Sequence, residues 1–202
     1  MQKKRLANLI TIAGILSVFT SVPMAFAISD AYKGNIYQVG TLKPIDSVLK
    51  VKKGQPAPDF TLPSISDENI SLGQYRGKKN VVLSFVPAAW TPVCSDQWPG
   101  YNIAKDIFEQ NEAILLGITV DNVPTLYAWT NQMGKLWFHV LSDFWPHGEV
   151  AKKYGVLRSN GVSERALFVI DKKGIIRYID VHDINMRPPL EDLAAALEKL
   201  KK

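Results

Sequence analysis

The chain has 202 residues, 24 Lys and Arg against 19 Asp and Glu for a formal net charge of +5, 47% apolar residues and one cysteine. A single cysteine excludes an internal disulfide framework, and no block of like charges marks a nucleic-acid or anionic-membrane surface. Lys3, Lys4 and Arg5 precede an apolar run from Leu6 to about Phe19 and the small-residue pattern Ala25-Phe26-Ala27. These are the three parts of an export signal, residues 1–27, with cleavage expected after Ala27 and the periplasm as destination. The apolar run is short for a span of about 20 residues, and an uncleaved membrane anchor is the alternative. Removing the signal takes three positive and no negative charges from the +5, which leaves +2 on 175 residues. That length suits one domain burying about 70% of its unfolded surface without staples.

Residues 28–50 carry Gly34, Gly40 and Pro44, which break any period, and they form an extension for which no order is predicted. The compact domain is expected over 51–202. "GQPAPDFTLPSI" is extended, since each residue before a proline is pushed out of the helical region, and "NISLGQY" adds a short strand before the polar turn "RGKKN". The run Val81–Val86 is apolar and β-branched, as in a strand covered on both faces. A helix follows Cys94 to about Asn111, with a kink or restart expected at Pro99-Gly100, and Ala113–Val120 is a second buried strand. Strand, helix and strand make a parallel unit with a right-handed crossover.

Asp121–Met133 reads as a helix capped by Asp121 or Asn122, with Gly134 just past its end. "WFHVLSD" is a short strand, and "HGEVAKKYG" a short helix ending at Gly155. Ala166–Asp171 and Ile175–Val181 are strands joined by "DKKG", a hairpin turn with Asp first and Gly fourth. The last helix sets Leu190, Leu193, Ala194 and Leu197 at i, i+3, i+4 and i+7. The fold class is α/β, thioredoxin-like, with a central mixed β-sheet flanked by helices; that class alone specifies no function.

A lone cysteine is most often a small buried apolar residue, but an odd one in an exported chain calls for a chemical reason. Thr91-Pro92-Val93-Cys94 follows the first buried strand. Threonine suits the position before a helix and proline the first helical position, which puts Cys94 in the first turn, where backbone N–H groups lack helical partners. Those donors and the helix dipole stabilise a thiolate. A free thiol ionises near pH 8.5, and keeping one ionised near pH 6 takes roughly 3.4 kcal/mol. A helix end supplies about 0.3–1 kcal/mol and at best about 2, so a second cation or several direct hydrogen bonds are needed. If Ala166–Asp171 pairs antiparallel with Val81–Val86, Arg165 lies at the end where the Pro87–Cys94 loop begins, and its permanent charge can support a thiolate. Without that pairing Arg165 is an ordinary surface residue ahead of a strand.

"PAAWTPVC" matches the Pro-x-x-x-Thr-x-x-Cys signature, and "GQPAPDFTLPSI", "GKKNVVLSFVPAAWTPVC" and "YGVLRSNGVSERALFVIDKKGIIRY" resemble peroxiredoxins over most of residues 51–200. The resemblance implies that Cys94 is the peroxidatic thiol, Thr91 a hydroxyl contacting sulfur and peroxide, Pro87 a shield from water and Arg165 the charge partner. A resolving cysteine five residues on, used by some members, would fall at Pro99, and none lies near the C-terminus. The chain is therefore similar to one-Cys and AhpE-like members. The histidine that some one-Cys members place eight residues before the thiol is Val86 here.

The implied activity is reduction of hydrogen peroxide or small organic hydroperoxides through a Cys94 sulfenic acid that an external thiol reduces, in a homodimer, with no metal, organic cofactor or nucleic-acid partner. His139, His147 and His182 have no metal-ligand spacing, and Trp90 and Trp98 are expected in the core or at a dimer contact. Two rivals are a thiol–disulfide oxidoreductase, against which Gln97 stands at the second position of a C-x-x-C, and a non-catalytic thioredoxin-fold binding protein in which Cys94 only packs.

Overall fold

A computed structural model describes residues 30–201, so residues 1–27, where an export signal is expected, lie outside the described residues. The elements are α1 (Asp30–Gly34), β1 (Thr61–Pro63), β2 (Asn69–Ser71), β3 (Asn80–Phe85), α2 (Pro92–Ile103), α3 (Lys105–Gln110), β4 (Ala113–Thr119), α4 (Val123–Met133), β5 (His139–Ser142), α5 (Glu149–Tyr154), β6 (Arg165–Ile170), β7 (Ile176–His182) and α6 (Leu190–Glu198). The two runs expected to be buried strands are so: every residue of β3 is buried, and every residue of β4 except the half-buried Ile114. They lie side by side in a five-stranded sheet of order β5-β4-β3-β6-β7. Strands β3, β4 and β5 are parallel, whereas β6 is antiparallel to both β3 and β7. This is the mixed sheet expected.

Alternate residues of the central strands face two separate cores, the period of two that strands impose. Leu83, Phe85, Leu116, Ile118 and Phe168 pack with Tyr154 of α5 on one face. Val82, Leu115, Leu167 and Val169 pack with Trp98, Trp129, Leu193 and Leu197 from α2, α4 and α6 on the other. Gly117 of β4 lets α2 approach the sheet, since a Cβ there would lie 2.7 Å from the Trp98 ring.

Three details differ from expectation. "LGQY" forms a 3-10 turn, Leu72–Tyr75, and only Asn69–Ser71 is strand, paired to β1. The helix after Cys94 runs through Pro99 without a break and is interrupted at Ala104. Proline removes one ladder hydrogen bond, and the buried side chains of Trp98 and Tyr101 hold the helix to the core on both sides of it. The third is the strand ahead of the hairpin, which begins at Arg165 itself. Two other details agree with it: the Asn122 side chain caps α4 by accepting from Thr125 N–H at 2.9 Å, and Gly174 N–H closes the hairpin turn on Asp171 O at 2.8 Å.

The segment from Asn35 to Lys50, called the arm below, is laid along the domain. Tyr32 of α1, just ahead of it, is buried to 1% exposure in the second core, and its hydroxyl accepts from Trp129 Nε1 at 3.1 Å. At the far end, Lys50 N–H donates to Tyr154 O at 3.2 Å. Gly155 makes that docking possible: its φ is +77°, and a Cβ would lie 2.3 Å from Lys50 N and 2.4 Å from Val48 O. Gly155→Ala is expected to lower stability by about 1–3 kcal/mol for the left-handed backbone alone, with the clash added to it. A urea unfolding midpoint equal to wild type, at equal slope, would show that the arm yields without cost.

Candidate active site

The site is built where β3 gives way to α2. Val86 O accepts from Ser163 Oγ at 2.8 Å, and Ala89 N–H donates to Asp121 Oδ2 at 2.8 Å. These bonds fasten the loop to the starts of β6 and α4. Trp90 stands in the left-handed region with φ +61°, a conformation that costs a non-glycine residue about 1–3 kcal/mol and persists only where its surroundings hold it. Here the arm does so, since Tyr37 N–H donates to Trp90 O at 2.7 Å.

Thr91 occupies the cap position in extended backbone, and Pro92 is the first helical residue, as expected. The threonine hydroxyl does not cap the helix, however; it donates to Ala88 O at 2.9 Å. With its proton committed there, the oxygen retains lone pairs that can accept from an O–H group. Cys94 follows in the first turn with no exposed surface.

The antiparallel register pairs Phe85 with Ala166, so Arg165 lies beside the end of β3. The predicted pairing therefore brings Arg165 to the thiol: its Nη2 lies 3.5 Å from Cys94 Sγ. Arg165 is 2% exposed. Its remaining bonds go from Nη1 to Gln97 Oε1 at 2.6 Å, and from Nε and Nη2 to Ile184 O at 3.2 and 3.0 Å. None of these hydrogen-bond partners is a carboxylate; Asp183, in the turn beyond, is close enough for the guanidinium to help hold its carboxyl below the usual range, after its bonds from Asn185.

Gln97 and Ile184 were not among the predicted site residues. Gln97 sits one helical turn after Cys94 on the same buried face, and that spacing was the available signal. It links the site inward, donating to Ser84 Oγ at 3.3 Å and Tyr101 Oη at 3.2 Å. Burial pushes the Tyr101 phenol well above its ordinary range, so it stays neutral in this network. Burial raises Tyr32 in the same way. Ile184 contributes a backbone carbonyl, which no residue pattern announces.

A cleft of ≈ 490 Å³ lies over this turn, walled by Pro87, Thr91, Val93 and Arg165 together with residues 37–42 of the arm. Three of the four predicted site residues, Pro87, Thr91 and Arg165, line the cleft, and the fourth, Cys94, is buried behind them against Arg165. The histidines do not join them: His147 Nε2 bonds Gly161 O at 2.7 Å, and His182 Nδ1 lies 3.3 Å from Asp180 Oδ2. Trp98 is fully buried, and Trp90 meets Tyr32 in a tilted contact with ring centroids 6.2 Å apart.

A thiol in the first turn of a helix, faced by a buried arginine on a thioredoxin-like sheet, defines the peroxiredoxin class. Residues 53–179 match the AhpC/TSA family, and the chain belongs to it. Alkyl hydroperoxide reductase E of Mycobacterium tuberculosis is 40% identical over 129 residues, 63% of this chain and 84% of that protein. Peroxiredoxin TSA1-B of Candida albicans is 36% identical over 154 residues, 71% of this chain and 77% of its own. The crystal structure of reduced 2-Cys peroxiredoxin from Plasmodium vivax matches with a TM-score of 0.70 at 27% identity, over 75% of this chain and 82% of that one.

Proposed function

We propose that this chain is a thiol-dependent peroxidase in which Cys94 reduces hydrogen peroxide or small organic hydroperoxides. The observation that carries the reading is the 3.5 Å approach of the buried Arg165 guanidinium to Cys94 Sγ in the first turn of α2. The thiolate attacks the terminal oxygen of ROOH; the S–O bond forms from the sulfur electron pair as the O–O bond breaks. The departing RO⁻ takes a proton, which leaves ROH, or water when R is hydrogen, and Cys94 as sulfenic acid. Thr91 Oγ1 accepts from the peroxide O–H, Arg165 stabilises charge on the leaving oxygen, and Pro87 shields the sulfur from water. One external thiol then forms a mixed disulfide with Cys94 and releases water, and a second displaces it as a disulfide. Atoms and electrons balance with thiols and peroxide alone.

The reading favours peroxidase over the rivals on one residue. Where a thiol–disulfide oxidoreductase has its second cysteine, Gln97 is buried and bonded to Arg165, and a charged residue held against a thiol does nothing for mere packing. We place the enzyme in the periplasm, on the strength of the signal pattern in residues 1–27, as a homodimer, on the strength of its family. Mass spectrometry of the mature N-terminus tests the first, and sedimentation at micromolar concentration the second.

The chemistry is tested by adding one equivalent of peroxide to reduced protein with dimedone present. One dimedone adduct at Cys94 per chain is expected. No adduct, with peroxide left unconsumed, would reduce Cys94 to a packing residue. Tryptophan fluorescence should change at the rate of peroxide loss, because Trp129 Nε1 donates to Ser95 Oγ, next to Cys94, at 3.1 Å and Trp98 lies one turn further along α2. A fluorescence change slower than peroxide loss would separate it from sulfur oxidation.

A further inference from the structure

The guanidinium of Arg165 depends on an acceptor that belongs to a turn and not to the sheet. Two of its donors end on Ile184 O, and Ile184 is 4% exposed in the turn that follows β7. That turn is closed internally by Met186 N–H on Asp183 O and by the backbone N–H and side-chain Nδ2 of Asn185, both on Asp183 Oδ1. From outside it is held by these two Arg165 bonds, by an exposed Arg187–Asp96 ion pair and by the arm. Ile184 N–H donates to Pro44 O at 3.2 Å. The Asn185 side chain accepts from Leu42 N–H and donates to Leu42 O, both at 2.8 Å. One amide side chain thus does for Leu42 what a neighbouring strand would do. Leu42, Pro44, Ile184 and Asn185 all lie outside residues 53–179, the stretch that matches the family.

We propose that Asn185 is a positioning residue for the peroxidase reaction: by fastening the arm to the turn, it keeps Ile184 O where it holds Arg165 against Cys94. The inference rests on the reading of Arg165 as the cation partner of Cys94. Its physical basis is the cost of unmet donors. A guanidinium has five N–H groups, and burying any of them without an acceptor is unfavourable. If the turn swings away, Arg165 must follow the carbonyl or turn its donors to the solvent of the cleft, and either movement takes it from the sulfur.

The test uses the full reduced chain with Asn185→Ala, and with Asn185→Leu, which keeps the branched heavy-atom arrangement and removes the hydrogen bonds. At pH 7 the measurements are single-turnover reduction of hydrogen peroxide, alkylation by iodoacetamide, and ultraviolet thiolate absorbance. The peroxide rate is expected to fall about ten-fold or more, as a displaced catalytic group costs, with both thiolate measures falling alongside. Asn185→Gln, whose amide can still reach Leu42, should recover most of the loss. A lowered unfolding midpoint with wild-type alkylation and absorbance would overturn the proposal and leave the arm a merely stabilising segment. Failure of wild type to consume peroxide would instead reject the peroxidase reading, and the alkylation and absorbance measurements would still decide the role of Asn185.

Discussion

Cys94→Ser is expected to abolish peroxide consumption, by at least about 10³-fold in single turnover, because an alcohol is not ionised at neutral pH and is a far weaker nucleophile than a thiolate. The fold should survive. The sulfur is fully buried, but a serine oxygen there can accept from Arg165 Nη2, so the substitution creates no orphaned polar atom, and its cost should stay near 1 kcal/mol. Circular dichroism and a urea midpoint check that side of the prediction. No second thiol can substitute, since Cys94 is the chain's only cysteine. For the same reason, oxidised wild type should show no intramolecular disulfide, and any covalent dimer must join Cys94 to Cys94. Substantial turnover by the serine variant would remove Cys94 from the chemistry.

The legible part of this protein is the part in which side chains carry the information. Val81–Val86 and Ala113–Val120 read as buried strands because apolar, β-branched residues leave no polar face. The antiparallel pairing of Ala166–Asp171 with Val81–Val86 then put Arg165 beside Cys94 across 71 positions of sequence. The opening of α2 was legible from Thr91 and Pro92, whose backbone preferences specify a helix start. What escaped was carried by backbone atoms and by tertiary context. Ile184 holds Arg165 through its carbonyl, a group every residue has. The arm has no hydrophobic period because it forms no element over most of its length; it is held by individual bonds from Tyr37, Leu42, Pro44 and Lys50 to partners distant in sequence. Thr91 shows the same limit on a smaller scale, since cap position followed from residue type while the direction of its hydroxyl depended on Ala88. At Pro99 the local rule was overruled, because packing of Trp98 and Tyr101 outweighed one missing hydrogen bond.

Arg165→Met should slow single-turnover peroxide reduction by about 10²–10³-fold at neutral pH, the scale seen when one preorganised donor is removed from a developing charge. Methionine keeps the length and apolar stem and removes the cation, so the helix end alone must support the thiolate, and that end is worth at most about 2 kcal/mol. The leaving oxygen of the peroxide has then lost its positive partner. Raising the pH does not restore that partner, so the rate should stay below wild type at every pH. Stability responds to opposing effects: Ile184 O and Gln97 Oε1 each lose a donor, at about 1–3 kcal/mol apiece if no water replaces it, while a buried cation without a carboxylate partner is also removed. The kinetic prediction is independent of that balance provided the variant folds, which the urea midpoint reports. Superimposable pH profiles for the two proteins would leave the helix end as the sole support of the thiolate and take Arg165 out of the mechanism, and with it the route by which the arm and Asn185 reach the sulfur.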